Sequence, residues 1–200
     1  MSNSLLLGSI SILFGGFLTL YLAKKSPDIV NILIYAFIVR VIAVIIHTYL
    51  HPLPVGVHDA VRFERVAWSL SQMANSNFSE FITLYIEILN QNNPEAYKLL
   101  GDLSWTYLPL LSLFYLFLDR SPLLLNSLSL LFGMLTVYFG WLLALEVWNN
   151  RSAAKKSALI MAFFPPLIMY SSVVLREIII VLFLQLFVLF FIRWNTEGRK

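Results

Sequence analysis

The chain has 200 residues, of which 59% are hydrophobic and only 12% charged, and its mean hydropathy is +0.78. Soluble domains sit nearer half apolar and about a quarter charged, so this composition excludes an ordinary soluble fold and points to an integral membrane protein. The net charge of +3 is small and gathers at the ends of apolar runs, a topology signal that excludes a nucleic-acid footprint, and the absence of cysteine removes disulfides and thiolate metal sites.

Leu5 to Ala23 is expected to form a first membrane helix. No basic region or small-residue cleavage site accompanies it, so it reads as a retained helix and not a secretory signal. Lys24 and Lys25 close it, and Ser26-Pro27 breaks the chain. Ile29 to Leu50 is the second helix, with Arg40 near its middle, and His51-Pro52-Leu53-Pro54 ends it because proline cannot continue the hydrogen-bond ladder.

A long region of mixed polarity follows, from 51 to about 120. In it Phe63, Val66, Ala67, Leu70 and Met73 recur at three- and four-residue steps, which places them on one helical face. Arg62, Arg65, Ser69 and Gln72 occupy the opposite face. A helix so polar cannot cross a bilayer and is expected to lie on its surface, with Asp59 at its start. Phe78 to Leu89 is a second amphipathic segment, opened by Asn77 and Glu80 at capping-box spacing, and Asn90 to Pro94 breaks it. Trp105 to Leu118 is apolar but short, and Pro109 interrupts it, which suits an interfacial or re-entrant segment that does not cross.

Leu123 to Trp148 is a long membrane helix ended by Asn149-Asn150-Arg151. Ala158 to Tyr170 follows with Pro165-Pro166 inside it, and Ile178 to Ile192 is the last, closed by Arg193. The expected fold is all-α: one polytopic membrane helical bundle over 1–200, with a long external loop carrying interfacial amphipathic helices. No internal or inverted repeat is visible.

Charge sets the orientation. With Trp105–Leu118 not crossing, Lys24, Lys25, Arg151, Lys155, Lys156, Arg193, Arg199 and Lys200 fall on one side, which the positive-inside rule makes cytoplasmic. The N-terminus is then outside, together with the loop of Asp59 and the short turn Ser171–Glu177. Two carboxylates on one face, Asp59 and Glu177, could share a divalent cation, or one could act as base while the other orients substrate. Against that stand a plain helix N-cap for Asp59 and a solvated ion pair for Arg176-Glu177. Arg40, deep in a membrane segment, is expected to face protein, water or an anionic lipid phosphate, unless the helix slides and lets it snorkel. His51 and His58 lack zinc-site spacing and read as polar loop residues. Trp105, Tyr107, Phe114 and Tyr115 read as an interfacial belt or a sugar platform.

Three segments together resemble the GT-C membrane glycosyltransferases, in the branch of the aminoarabinose and protein-mannosyl transferases. The first is Asp59, Phe63, Ala67 and Leu70, like the acid-led opening of that superfamily's first external loop, although the second acid many members carry is Ala60 here. The second is Asn126-Ser127-Leu128-Ser129 with Gly133, Leu135, Thr136 and Val137. The third runs from Phe164-Pro165-Pro166 through Tyr170-Ser171-Ser172 to Leu175-Arg176-Glu177. The resemblance covers about 29–192 and the N-terminal part of such enzymes, which continue into further helices supplied by a C-terminal half or a second chain.

The resemblance implies a polyprenyl-phosphate-linked sugar donor and transfer to an acceptor on the external face of a bacterial inner membrane. Asp59 would be catalytic base or metal ligand and Glu177 its assistant or co-ligand, with a divalent metal as candidate cofactor. Arg40, Arg62, Arg176 and His58 would bind substrate, the arginines through charge-assisted hydrogen bonds to phosphate. Asp59 and Glu177 are then expected to face one cavity at the membrane boundary. The alternative is a non-catalytic membrane subunit or a small lipid or sugar-lipid flippase.

Overall fold

The computed structural model describes residues 3–50, 57–89 and 107–197, and these form helices and short connections with no strand among them. The helices are α1 (Asn3–Lys25), α2 (Val30–Ile45), α3 (Val57–Ser76), α4 (Phe78–Leu89), α5 (Tyr107–Phe117), α6 (Pro122–Trp148), α7 (Arg151–Phe163), α8 (Pro165–Tyr170) and α9 (Glu177–Glu197). A 3₁₀ turn (Pro27–Ile29) leads into α2 and a π turn (Ile46–Leu50) continues it. Four stretches are long and apolar enough to cross a membrane: Asn3–Lys25, Pro27–Leu50, Pro122–Trp148 and Glu177–Thr196. Their outer faces leave Phe14, Phe17, Ile38, Phe183 and Phe187 exposed, as expected of an integral membrane protein whose solvent there is hydrocarbon.

α6 lies at the centre and packs against α1, α2, α7 and α9. Asn126, Ser129, Gly133, Thr136 and Gly140 recur along it at alternating three- and four-residue steps, and all five are buried. This small-residue stripe lets neighbouring backbones come close, the usual basis of helix association without a hydrophobic driving force. A Cβ on Gly133 would fall 2.3 Å from that of Ser171, and one on Gly140 would fall 3.1 Å from Cγ of Met161.

Polar contacts fix the helix directions. Asn3 Nδ2 donates to Asp119 (3.1 Å) and Ser121 Oγ to the Ser4 carbonyl (2.7 Å), so α1 and α6 start at the same end. Asn126 Nδ2 donates to Thr48 Oγ1 (3.0 Å), which brings the end of the second span there too. At the other end Asp28 accepts Lys155 (3.5 Å) and Arg151 (3.8 Å), and Glu146 accepts Arg193 Nε (3.2 Å). Lys24, Lys25, Arg151, Lys155 and Arg193 therefore share one end, the grouping that the charge pattern demanded.

α3, α4 and α5 form a layer at the opposite end. The face of α3 is as its periodicity dictates: Phe63, Ala67 and Leu70 are buried, Val66 and Met73 half-buried, and Arg62, Arg65, Ser69 and Gln72 exposed. At α4, Asn77 Oδ1 accepts the Glu80 amide (3.2 Å), while Asn77 Nδ2 donates to the Glu80 carboxylate (3.4 Å). The Asn77 amide itself is taken by Met73, so the box closes side chain to side chain.

Two expectations need correction. Pro109 does not interrupt α5: it lies in the first turn, where its missing N–H has no helical partner to lose. α5 has 11 residues, about 16 Å at helical rise and too short for a bilayer core, while Trp105 and Thr106 lie outside the described residues. Second, the helix expected at Ala158–Tyr170 begins at Arg151 and breaks at Phe164. Asn149, at φ 46°, ends α6 in the left-handed conformation, and Asn150 Oδ1 then accepts the amides of Ser152 (2.9 Å) and Ala153 (3.2 Å) as an N-cap. The turn after α8 packs inside the protein, with Ser171 to Leu175 all buried. Gly133 admits it about 16 Å along α6 from Pro122.

Candidate functional site

The buried turn exists because Phe164-Pro165-Pro166 stops α7. Neither proline has an N–H, so the carbonyls four residues back, Met161 and Ala162, lose their helical donors. Arg40 supplies replacements. Its Nη1 donates to the Ala162 carbonyl (2.8 Å) and the Ala36 carbonyl (3.3 Å), and its Nη2 to the Met161 carbonyl (3.1 Å). The side chain is 0% exposed, and its Nε, near the Cβ position of Gly133 (3.1 Å), has no partner among the described residues. No carboxylate contacts it there. Arg40 thus faces protein, as an intramembrane arginine should, and its guanidinium is held by backbone oxygens at the break. Glu146, near the other end of α6, accepts Arg193 Nε instead.

α8 is a single short helix, and Ser171 and Ser172 cap its end by donating to the Ile168 carbonyl (3.0 and 2.6 Å). Val173, Val174 and Leu175 then pack with Ala60, Phe63 and Ala67 of α3, Tyr107 and Tyr115 of α5, and Leu125 of α6. Glu177 opens α9, where its charge suits the positive end of the helix dipole. Oε1 of Glu177 is 3.9 Å from Arg176 Nε, while Oε2 is buried without a hydrogen-bond partner among the described residues. Tyr107 hydrogen-bonds Ser129 and stands near Glu177. Burial first, and the Glu177 charge second, push its phenol above the ordinary tyrosine range.

Asp59 lies in the first turn of α3, with Val57 and His58 before it in the helix, so it is not the N-cap. Asp59, His58 and Arg62 are exposed. A cavity of about 200 Å³ opens beside them, lined by His47, Thr48, Ala60, Val61, Glu64, Pro122, Asn126 and Val174. Neither Asp59 nor Glu177 lines it: the nearest lining residues in sequence are Ala60, next to Asp59, and Val174, three positions before Glu177. Arg62, Arg176 and His58 lie on the segments of those two acids, whereas Arg40 belongs to the proline break. His51 lies outside the described residues.

Glu64 drew no attention in the sequence, yet it holds the layer in place. It accepts Arg120 through both oxygens (Nε to Oε1 and Nη2 to Oε2, each 2.8 Å) and the Tyr115 hydroxyl (3.2 Å). Burial and the Glu64 charge hold the Tyr115 phenol well above its usual range, and the hydrogen bond to Glu64 raises that of the Arg120 guanidinium. Arg120 also lies over the Trp68 ring at 5.8 Å. Only its position on a charged helix hinted at this role, because its partners are 51 and 56 residues away.

Among the described residues no three His, Cys, Asp or Glu side chains cluster to hold a metal ion. Asp59 and Glu177 alone do not make a cation site. Comparison with protein-family models, with curated proteins and with solved structures finds no match to this chain. The likeness to GT-C enzymes rests on the sequence motifs alone.

Proposed function

We propose that the chain is a glycosyltransferase, or the N-terminal portion of one, that takes a sugar from a polyprenyl phosphate and passes it to an acceptor at the external membrane face. What supports this reading is one cavity lined by both Ala60, next to Asp59, and Val174, three positions before Glu177. In this proposal the chain is a polytopic bundle of the plasma membrane with the N-terminus outside and the C-terminus cytoplasmic. The shared end of Lys24, Lys25, Arg151, Lys155 and Arg193 supports that orientation.

In the proposed reaction an acceptor hydroxyl or amine attacks the anomeric carbon, a new bond forms there, and the bond to the phosphate oxygen breaks. The polyprenyl phosphate leaves with the electron pair. Asp59, exposed in the first turn of α3, takes the acceptor's proton. Glu177 orients the acceptor through its buried oxygen, and Arg176, with Arg62 and His58 on α3, meets the donor's phosphate. Arg40 acts indirectly, by holding the break that sets the turn before Glu177.

The test uses membranes containing the full chain and undecaprenyl phosphate carrying radiolabelled glucose, mannose or aminoarabinose. Loss of label from one donor is expected, and Asp59→Asn should remove it about a hundredfold while the protein stays folded, since a general base typically contributes that much or more. Donor turnover unchanged in Asp59→Asn contradicts the assignment of the base. Turnover of none of the three donors, with or without the rest of a longer chain, contradicts the transferase reading.

A further inference from the structure

The opposite end of the molecule carries a second site, which owes nothing to the transfer reading. The tight connection between α6 and α7 leaves a groove of about 500 Å³ lined by Trp148, Asn150, Ala153, Lys156, Ser157 and Ile160. Its polar groups point one way chemically. Asn150 Oδ1 is consumed by the amides of Ser152 and Ala153, which leaves the Nδ2 hydrogens to donate outward. Lys156 contributes an ammonium, Ser157 a hydroxyl and Trp148 an indole N–H. No carboxylate lines the groove. Asp28, the acid of this end nearest α7, is taken by Arg151 and Lys155, and Lys156 points away from that pair because successive helical residues diverge by about 100°. Among the described residues no carboxylate pairs with it.

A lining composed of donors, with one cation and no anion, fits a phosphate oxyanion. The remaining walls are apolar and outward-facing: Trp148 is 59% and Ile160 64% exposed. Beside a membrane span those surfaces suit an acyl chain and an interfacial indole. We propose that this groove binds the headgroup of an anionic phospholipid, with Lys156 on the phosphate, Asn150 and Ser157 as supporting donors, and the lipid tail along Trp148 and Ile160. A lipid bound there would clamp the connection on which α7, and through Arg40 the proline break, depends.

The test is native mass spectrometry on the delipidated full chain with phosphatidylglycerol or phosphatidylcholine added. Phosphatidylglycerol should be retained about tenfold better, because a surface lysine favours a net-anionic lipid over a zwitterionic one. Lys156→Ala should reduce retention to the phosphatidylcholine level, Lys156→Arg should keep most of it, and Lys155→Ala, which removes a charge already paired, should change little. Both side chains are exposed, so melting temperatures should not move. Equal losses from Lys155→Ala and Lys156→Ala would mean diffuse attraction and overturn the site. Retention unaffected by Lys156→Ala would overturn it too, as would complete displacement of the lipid by inorganic phosphate, which would make the ligand a free anion.

Discussion

Among the described residues no carboxylate pairs with the buried Arg40, and the two prolines account for its place. Pro165 and Pro166 free the carbonyls of Met161 and Ala162, and Arg40 donates to both. Replacing Arg40 by Leu should cost about 3 kcal/mol or more, because each buried carbonyl left unpaired costs about 1–3 kcal/mol. In a Pro165→Ala/Pro166→Ala background, where the helix supplies its own donors, the same replacement should cost much less. Thermal unfolding in nanodiscs measures the cycle, and equal costs in both backgrounds would refute the link. Gly133→Ala drives a methyl into Ser171 and should cost about 1–3 kcal/mol by overpacking; a stability equal to that of the parent would mean that the turn does not dock there.

Among the elements, α3 shows what a sequence can reveal. Its buried and exposed faces follow from spacing alone, and so does the cap at Asn77, because both are local. What was not legible depends on contacts between distant segments: the docking of Ser171 against Gly133, the capture of Arg120 by Glu64, and the continuation of α7 back to Arg151. The last was masked by lysines and an arginine that read as a loop but lie on a helix capped by Asn150. If Glu64 anchors the layer, Glu64→Gln and Arg120→Met should show a coupling of about 1 kcal/mol in a double-mutant cycle, modest because Arg120 is half exposed. Additive losses would contradict the anchor. Tyr107 and Tyr115 have phenols raised above the ordinary value of 10.0. Their neutral forms are favoured in the folded state, so the stability they contribute is full below pH 10 and is lost as pH rises beyond it. Tyr107→Phe and Tyr115→Phe should each remove absorbance that rises only well above pH 10 in an alkaline titration of the folded protein. Loss of absorbance that rises at or below pH 10 in either variant would contradict this.

For the whole molecule, the central claim is that the α3–α5 layer and the cavity beside Ala60 face outward while the end bearing Asp28, Arg151 and Lys156 faces the cytoplasm. The chain has no cysteine, so single cysteines report cleanly on each end. Ser76, at the exposed end of α3, and Ser152, in the exposed first turn of α7, are suitable positions. A membrane-impermeant maleimide applied to intact cells should label Ser76→Cys and leave Ser152→Cys unmodified until the membrane is opened. Labelling of Ser152→Cys in intact cells, with Ser76→Cys protected, would invert the orientation and place the cavity and both acids on the wrong side for the proposed transfer.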